Sequence, residues 1–181
     1  MLKPETTALV FVDIQGKLAT LMYEKDRLFA NLVRMARGAH ALDIPIIWNE
    51  QLPDKLGETI PELKETLESL DKQPLIKKHF SACGNPDFVK TLEATGRKDV
   101  LLTGIETHIC VYQSAIDLLE SGYNVHLVID ATSSRLEHNY HLGVQRIKDA
   151  GAVLTSVEMC LLELQEIAEG DRFRELIKII K

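Results

Sequence analysis

The chain has 181 residues, 45% hydrophobic and 27% charged, the balance of one soluble globular domain, residues 1–181. A net charge of −6 argues against nucleic acid or an anionic membrane surface as the main partner. No apolar run approaches the roughly 18 residues of a membrane span, and the N-terminus carries no signal-peptide pattern.

The first strand is predicted over "ALVFVDI" (8–14), a β-rich apolar run. "DRLFANLVRMARGAHAL" (26–42) has apolar residues at helical spacing, and "DIPIIWNEQ" (43–51) reads as the second strand. A loop punctuated by Pro53 and Gly57 follows, then a short helix with Pro61 in its first turn. "QPLIKKHF" (73–80) is a short third strand. Asn85 is placed to cap the next helix, with Pro86 at its first position and Gly96 closing it. "KDVLLTGI" (98–105) is the fourth strand and "THICVYQSAIDLLESG" (107–122) a helix. "YNVHLVIDA" (123–131) is the fifth strand and "LEHNYHLGVQRIKDAG" (136–151) a helix. "AVLTSVE" (152–158) is the sixth strand, and two helices complete the chain.

Strands alternating with helices imply a three-layer α/β/α sandwich on a parallel sheet. Ligands in such folds bind beyond the carboxyl ends of the strands, where the strand order reverses. The polar residues there are Asp13 and Gln15, Asn49 to Gln51, Lys77 to His79, Glu106 to Cys110, and Asp130, Thr132 and Ser133.

Asp13 interrupts an apolar run, so its carboxylate is either a satisfied structural group or an acid/base. Cys110 falls in the first turn of a helix, where the dipole and a nearby lysine favour a thiolate; a buried core cysteine is the other reading. Cys160 sits in "MCLLEL", a core-facing stretch. Three widely spaced cysteines, Cys83, Cys110 and Cys160, do not make a disulfide framework and suit a reducing cytoplasm. Of the adjacent Lys77 and Lys78, strand alternation sends one to solvent and the other toward the crevice. His138 and His141 share a helix face without an HExxH pattern, and no CxxC pair is present. There is no nucleotide-binding glycine motif, so no cofactor is expected.

Four motifs together resemble the isochorismatase-like cysteine hydrolases: "VDIQ" (12–15), "KKHFSA" (77–82), "GIETHIC" (104–110) and "VIDATSSR" (128–135). The resemblance runs over nearly the whole chain, and "NEQLPDKLGETIPEL" with "DATSSR" is closest to the isochorismatase-domain protein branch. It implies a six-stranded sheet ordered 3-2-1-4-5-6 and a catalytic triad of Asp13, Lys77 and Cys110. The family spacing of a lysine before an aromatic residue and a serine selects Lys77 over Lys78. It further implies an oxyanion hole from the backbone N–H groups of Glu106 and Cys110, a cis peptide between Ile105 and Glu106, and a homo-oligomer. Gln15, Trp48, Phe80, Glu106 and Tyr112 are the pocket candidates. The Asp-x-His metal pattern of nicotinamidase-type members is missing from "WNEQLPD", so no metal is expected. The implied activity is metal-independent hydrolysis of an amide-like C–N bond in a small-molecule substrate through a thioester. A binding or scaffold protein on the same fold, or a thiol redox protein using Cys83 and Cys110, are the competing readings. The C-terminal "FRELIKII", with Phe173, Leu176, Ile177 and Ile180 at helical spacing, adds a face for self-association.

Overall fold

The computed structural model describes residues 1–181. The strands are β1 (Thr7–Val12), β2 (Ile46–Gln51), β3 (Leu75–Lys77), β4 (Asp99–Ile105), β5 (Asn124–Ser133) and β6 (Val153–Thr155). They form one six-stranded sheet in the order 3-2-1-4-5-6, and every pair is parallel. The helices are α1 (Gly16–Ala19), α2 (Lys25–Ala41), α3 (Pro53–Leu56), α4 (Pro61–Ser69), α5 (Pro86–Ala94), α6 (Tyr112–Glu120), α7 (Glu137–Asp149), α8 (Val157–Gln165) and α9 (Gly170–Ile180). No helix is long and apolar enough to cross a membrane.

Helices cover both faces of the sheet, so the central strands are apolar at nearly every position. The alternation of side chains sorts those positions between two cores. Leu9, Phe11, Trp48 and Leu101 pack toward α2, α4 and α8. Ala8, Val10, Val12, Ile47, Val100 and Leu102 pack toward α5 and α6. The Asn85 side chain accepts the Asp87 N–H at 3.0 Å, and Ser156 caps α8 in the same way through Met159. Such caps contribute about 1 kcal/mol each.

The sequence reading missed the short helices α1 and α3, the latter in the stretch read as loop, and ran β6 on to residue 158 where α8 already begins at Val157; two further departures bear on the site and the assembly. The segment after β4 opens with a π-helical turn, Thr107–Val111, and α6 begins only at Tyr112. The stripe on α9 is only partly external. Leu176 is fully buried, Ile179 and Ile180 pack against the core, and the helix lies on α2 and α8. Of the predicted stripe, Leu176 and Ile180 are therefore spent on the domain's own core, while Phe173 and Ile177 stay half-buried.

Two glycines set the spacing around the carboxyl end of the sheet. At Gly104, φ is +121° and an added Cβ would lie 2.1 Å from the Val12 carbonyl oxygen. Only glycine lets the ends of β1 and β4 come this close. At Gly143, an added Cβ would meet the His108 backbone nitrogen at 2.8 Å, so α7 can press directly on the π-helical turn.

Candidate active site

Adjacent β1 and β4 end at the switch point, with β2 and β3 beside β1. Asp13 follows β1 in the left-handed region, φ +56°, a conformation aspartate tolerates better than most residues. Its N–H donates to the Asn49 carbonyl at 3.2 Å, and its carbonyl accepts the Gln15 N–H at 2.9 Å. This sharp bend turns the carboxylate into the sheet end, where it is only 4% exposed.

Lys77 ends β3 in register with Gln51 at the end of β2. Its side chain is fully buried, while Lys78 is exposed, as strand alternation requires. Lys77 Nζ lies 2.6 Å from Asp13 Oδ2, 2.9 Å from each of the His79 and Phe80 carbonyl oxygens, and 3.1 Å from Gln51 Oε1. The Cys110 thiol donates to the same Gln51 Oε1 at 3.4 Å. Asp13 Oδ1 is buried with no hydrogen-bond partner. Asp13, Gln51 and Cys110 share the wall of a cavity of about 260 Å³ with Leu18, Leu56, Phe80, Ile105, Ile109, Glu106 and Arg135.

Burial pushes the Asp13 carboxyl up to about 6, against the pull of the Lys77 charge. Folded Asp13 therefore keeps a proton, between pH 3.8 and about 6, that the unfolded chain has released. This group alone makes the fold less stable as pH rises through that window. Burial also pushes the Cys110 thiol up to about 12; the charge of the neighbouring Asp13 and a hydrogen-bonding interaction with it add to the rise, and Lys77 opposes it. The expected lowering by a helix terminus is not found. Cys110 sits inside a π-helical turn and is 8% exposed. Desolvation outweighs the dipole there, and the resting thiol is neutral.

The Ile105–Glu106 peptide is cis. Glu106 is buried, and its carboxylate accepts Arg135 Nε at 2.9 Å, Arg135 Nη2 at 3.3 Å and the Arg135 N–H at 3.0 Å. Burial alone would raise this carboxyl, but the hydrogen bonds and charge of Arg135 hold it below its ordinary value. The guanidinium is 53% exposed at the cavity edge.

Of the pocket candidates, Phe80 and Glu106 line the cavity and three do not. Trp48 lies in the α2-side core, with its Nε1 donating to Thr59 Oγ1 at 2.8 Å. Thr59 Oγ1 in turn donates to Glu50 at 2.8 Å. Gln15 is fully buried behind Gln51, accepting its N–H at 2.7 Å and donating to its carbonyl at 3.1 Å. Gln15 also donates to the Gly57 carbonyl at 2.7 Å, so both residues fasten the 52–60 segment that carries Leu56 to the cavity. Tyr112 packs on the α5–α6 side and accepts from Arg146 at 2.8 Å. Sequence reasoning passed over Gln51 and Arg135 as wall residues. Their available signals were the polar end of the second strand and the last residue of "VIDATSSR".

Cys83 lines a different cavity, with Phe88, Leu92, Leu118 and Tyr123. Burial raises its thiol to about 11. Cys160 is fully buried beside Met35 and the Val157 carbonyl. His141 is exposed and lies 3.6 Å from Glu137. No three His, Cys, Asp or Glu residues are grouped closely enough to hold a metal ion.

The buried ion pair yields a stability prediction. Lys77→Met is expected to cost about 3–5 kcal/mol, the scale for stranding one charge of a buried pair. The loss should be smaller at pH 5, where Asp13 is already largely protonated, than at pH 8. Urea unfolding at the two pH values, with Lys78→Met as a near-neutral control, measures it.

An isochorismatase domain model matches residues 7–159. The chain is 35% identical over 181 residues to isochorismatase family protein 1B of Dictyostelium discoideum, covering 98% of this chain and 87% of that protein. A Caenorhabditis elegans structure described as MAR1 ribonuclease aligns at TM-score 0.90 and 38% identity, over 99% of this chain and 91% of that one. The YcaC gene product of Escherichia coli, described as an octameric hydrolase of unknown specificity, aligns at TM-score 0.92 and 28% identity. That match covers 99% of this chain and 88% of that one.

Proposed function

The chain belongs to the isochorismatase family, and on that premise we propose that it is a metal-independent cysteine hydrolase of small amide-like C–N bonds. The observation that carries this reading is the convergence of a buried Lys77–Asp13 pair and the Cys110 thiol on one largely apolar cavity.

Asp13 takes the thiol proton as Cys110 Sγ attacks the substrate carbonyl. A carboxylate near pKa 6 is a base at neutral pH and still a usable acid. The backbone N–H groups of Glu106 and Cys110 are the proposed donors to the tetrahedral oxyanion. Collapse of the intermediate breaks the C–N bond, and Asp13 returns the proton to the leaving amine. Asp13 then deprotonates a water that attacks the thioester, giving a carboxylic acid and the free thiol. Lys77 holds Asp13 in place and favours its ionised form.

The cavity suits a small uncharged amide, because its two charged pairs neutralise each other and most of its wall is aliphatic or aromatic. The same features and the net charge of −6 do not favour a polynucleotide substrate, although one relative is described as a ribonuclease. The redox reading has little support, since Cys83 and Cys110 line separate cavities. A homo-oligomer is the proposed assembly, in line with the octameric relative. The three free thiols suit the cytoplasm.

Two results should follow. A screen over carboxamides, ureido acids and nitriles should find a substrate whose turnover survives exhaustive chelation, and acid quench should trap an acyl group on the Cys110 peptide. Turnover lost on chelation and restored by zinc or manganese would refute the metal-free reading. The pH profile of kcat/KM should have an acid limb centred near 6, tenfold per unit below it, as Asp13 loses its basic form. A limb near 4 would remove Asp13 from the role.

A further inference from the structure

Gln51 sits where the thiol, the lysine and the carboxylate meet, and its side chain is not needed to satisfy any of its charged neighbours. An ammonium group has three protons. Lys77 already has three acceptors at 2.6–2.9 Å, Asp13 Oδ2 and the His79 and Phe80 carbonyls, and Gln51 Oε1 at 3.1 Å is a fourth. The orientation of the amide is fixed chemically, since the atom facing an ammonium group must be the oxygen. That oxygen is also the acceptor of the Cys110 thiol, at 3.4 Å. Meanwhile Asp13 Oδ1, the natural base for the thiol, is buried without a partner. The Gln51 backbone is clamped on both its N–H and its carbonyl by the Gln15 amide, so the residue cannot drift from this position.

We propose that Gln51 is a positioning residue that takes the hydrogen bond of the resting Cys110 thiol on a neutral amide oxygen, in competition with the neighbouring Asp13 carboxylate, until substrate in the cavity shifts the thiol to the carboxylate. The proposal rests on the hydrolase reading for what the released thiol does next. That hydrogen bond keeps the proton on sulfur. It withholds the nucleophile from small electrophiles that enter the cavity without filling it. A substrate that displaces the thiol from Gln51 leaves Asp13 Oδ1 as the acceptor within the same cavity wall. The proton then moves from sulfur to carboxylate as the new C–S bond forms.

The test is the rate of Cys110 alkylation by iodoacetamide, read by peptide mass across pH 5–9, and it needs no known substrate. In the unaltered protein the rate should climb with pH over the whole range, because it follows a thiolate fraction set by a high thiol pKa. Gln51→Leu keeps the bulk and removes the acceptor. Its rate at pH 7 should rise about tenfold or more, and its profile should flatten above pH 6–7, following Asp13 ionisation instead. Adding Asp13→Asn should abolish the flattening, so that the rate climbs with pH again. Gln51→Met carries the same test should the leucine variant fail a thermal-melt check. A folded Gln51→Leu with the original rate and slope would overturn the proposal. A Gln51→Leu profile that stays flat with pH after Asp13→Asn is added would also overturn it, since Asp13 would then not be the group that receives the released thiol's proton. Failure of the hydrolase reading shows separately, as wild-type turnover unaffected by loss of the Cys110 thiol.

Discussion

Cys110→Ala is expected to fold normally and to lose turnover by about 10⁴-fold or more, the scale on which removing a nucleophile silences a triad. The fold should tolerate the change because little holds the thiol in place. Its one side-chain hydrogen bond by geometry is the 3.4 Å contact to Gln51 Oε1, whose oxygen keeps Lys77 as a partner. Losing a small half of a side chain at the rim of an existing cavity creates no sealed void. The cost in stability should therefore fall below the range for a core truncation. The measurement is single-turnover hydrolysis of the best amide from the screen, with a thermal melt beside it. A well-folded alanine variant with a tenth of normal activity would leave the thioester path without its nucleophile.

Asp13→Asn separates two roles that the wild type combines. Asparagine has nearly the same shape and tolerates the left-handed φ of +56° at this position. It also offers Lys77 an oxygen. It cannot take a proton, so the leaving amine loses its acid and the water its base. The expected fall in kcat is about 10²-fold or more. The thiol should move the other way. Part of what holds it near 12 is the Asp13 charge, which the amide removes while Lys77 remains. Alkylation of Cys110 should be retained or faster while turnover collapses. A single structural lesion would depress both. A folded Asp13→Asn variant with near-normal turnover would end the proton-transfer role assigned to this residue.

The strand ends and their order of appearance were legible in the sequence for one physical reason. A parallel sheet covered on both faces must be written as continuous apolar runs, so a carboxylate or an ammonium at the end of a run stands out. Asp13 after "ALVFV" and Lys77 after "LI" are visible in this way, and strand alternation already required that only one of Lys77 and Lys78 point inward. The order 3-2-1-4-5-6 and the choice of Cys110 as nucleophile came from the joint resemblance of four motifs. No single run of residues carried them.

What only the tertiary structure decided is which way side chains turn once the strands stop. Trp48 lies within β2 and Gln15 just past the end of β1, yet both fasten the segment behind the wall. Their partners, Thr59 for Trp48 and Gly57 for Gln15, come from a loop whose path local sequence does not encode. Gln51 and Arg135 reach the cavity because β2 lies beside β3 and because Glu106 grips the guanidinium, contacts between residues 26 and 29 positions apart. The charge state of Cys110 was beyond local reading for the same reason. A helix terminus favours a thiolate by about 1 kcal/mol, whereas burial among distant residues can shift a titrating group by several pKa units. Periodicity and punctuation are properties of neighbours along the chain, and they are written in the sequence. Desolvation and hydrogen-bond partnership are sums over neighbours in space, and they exist only after the sheet has brought those neighbours together.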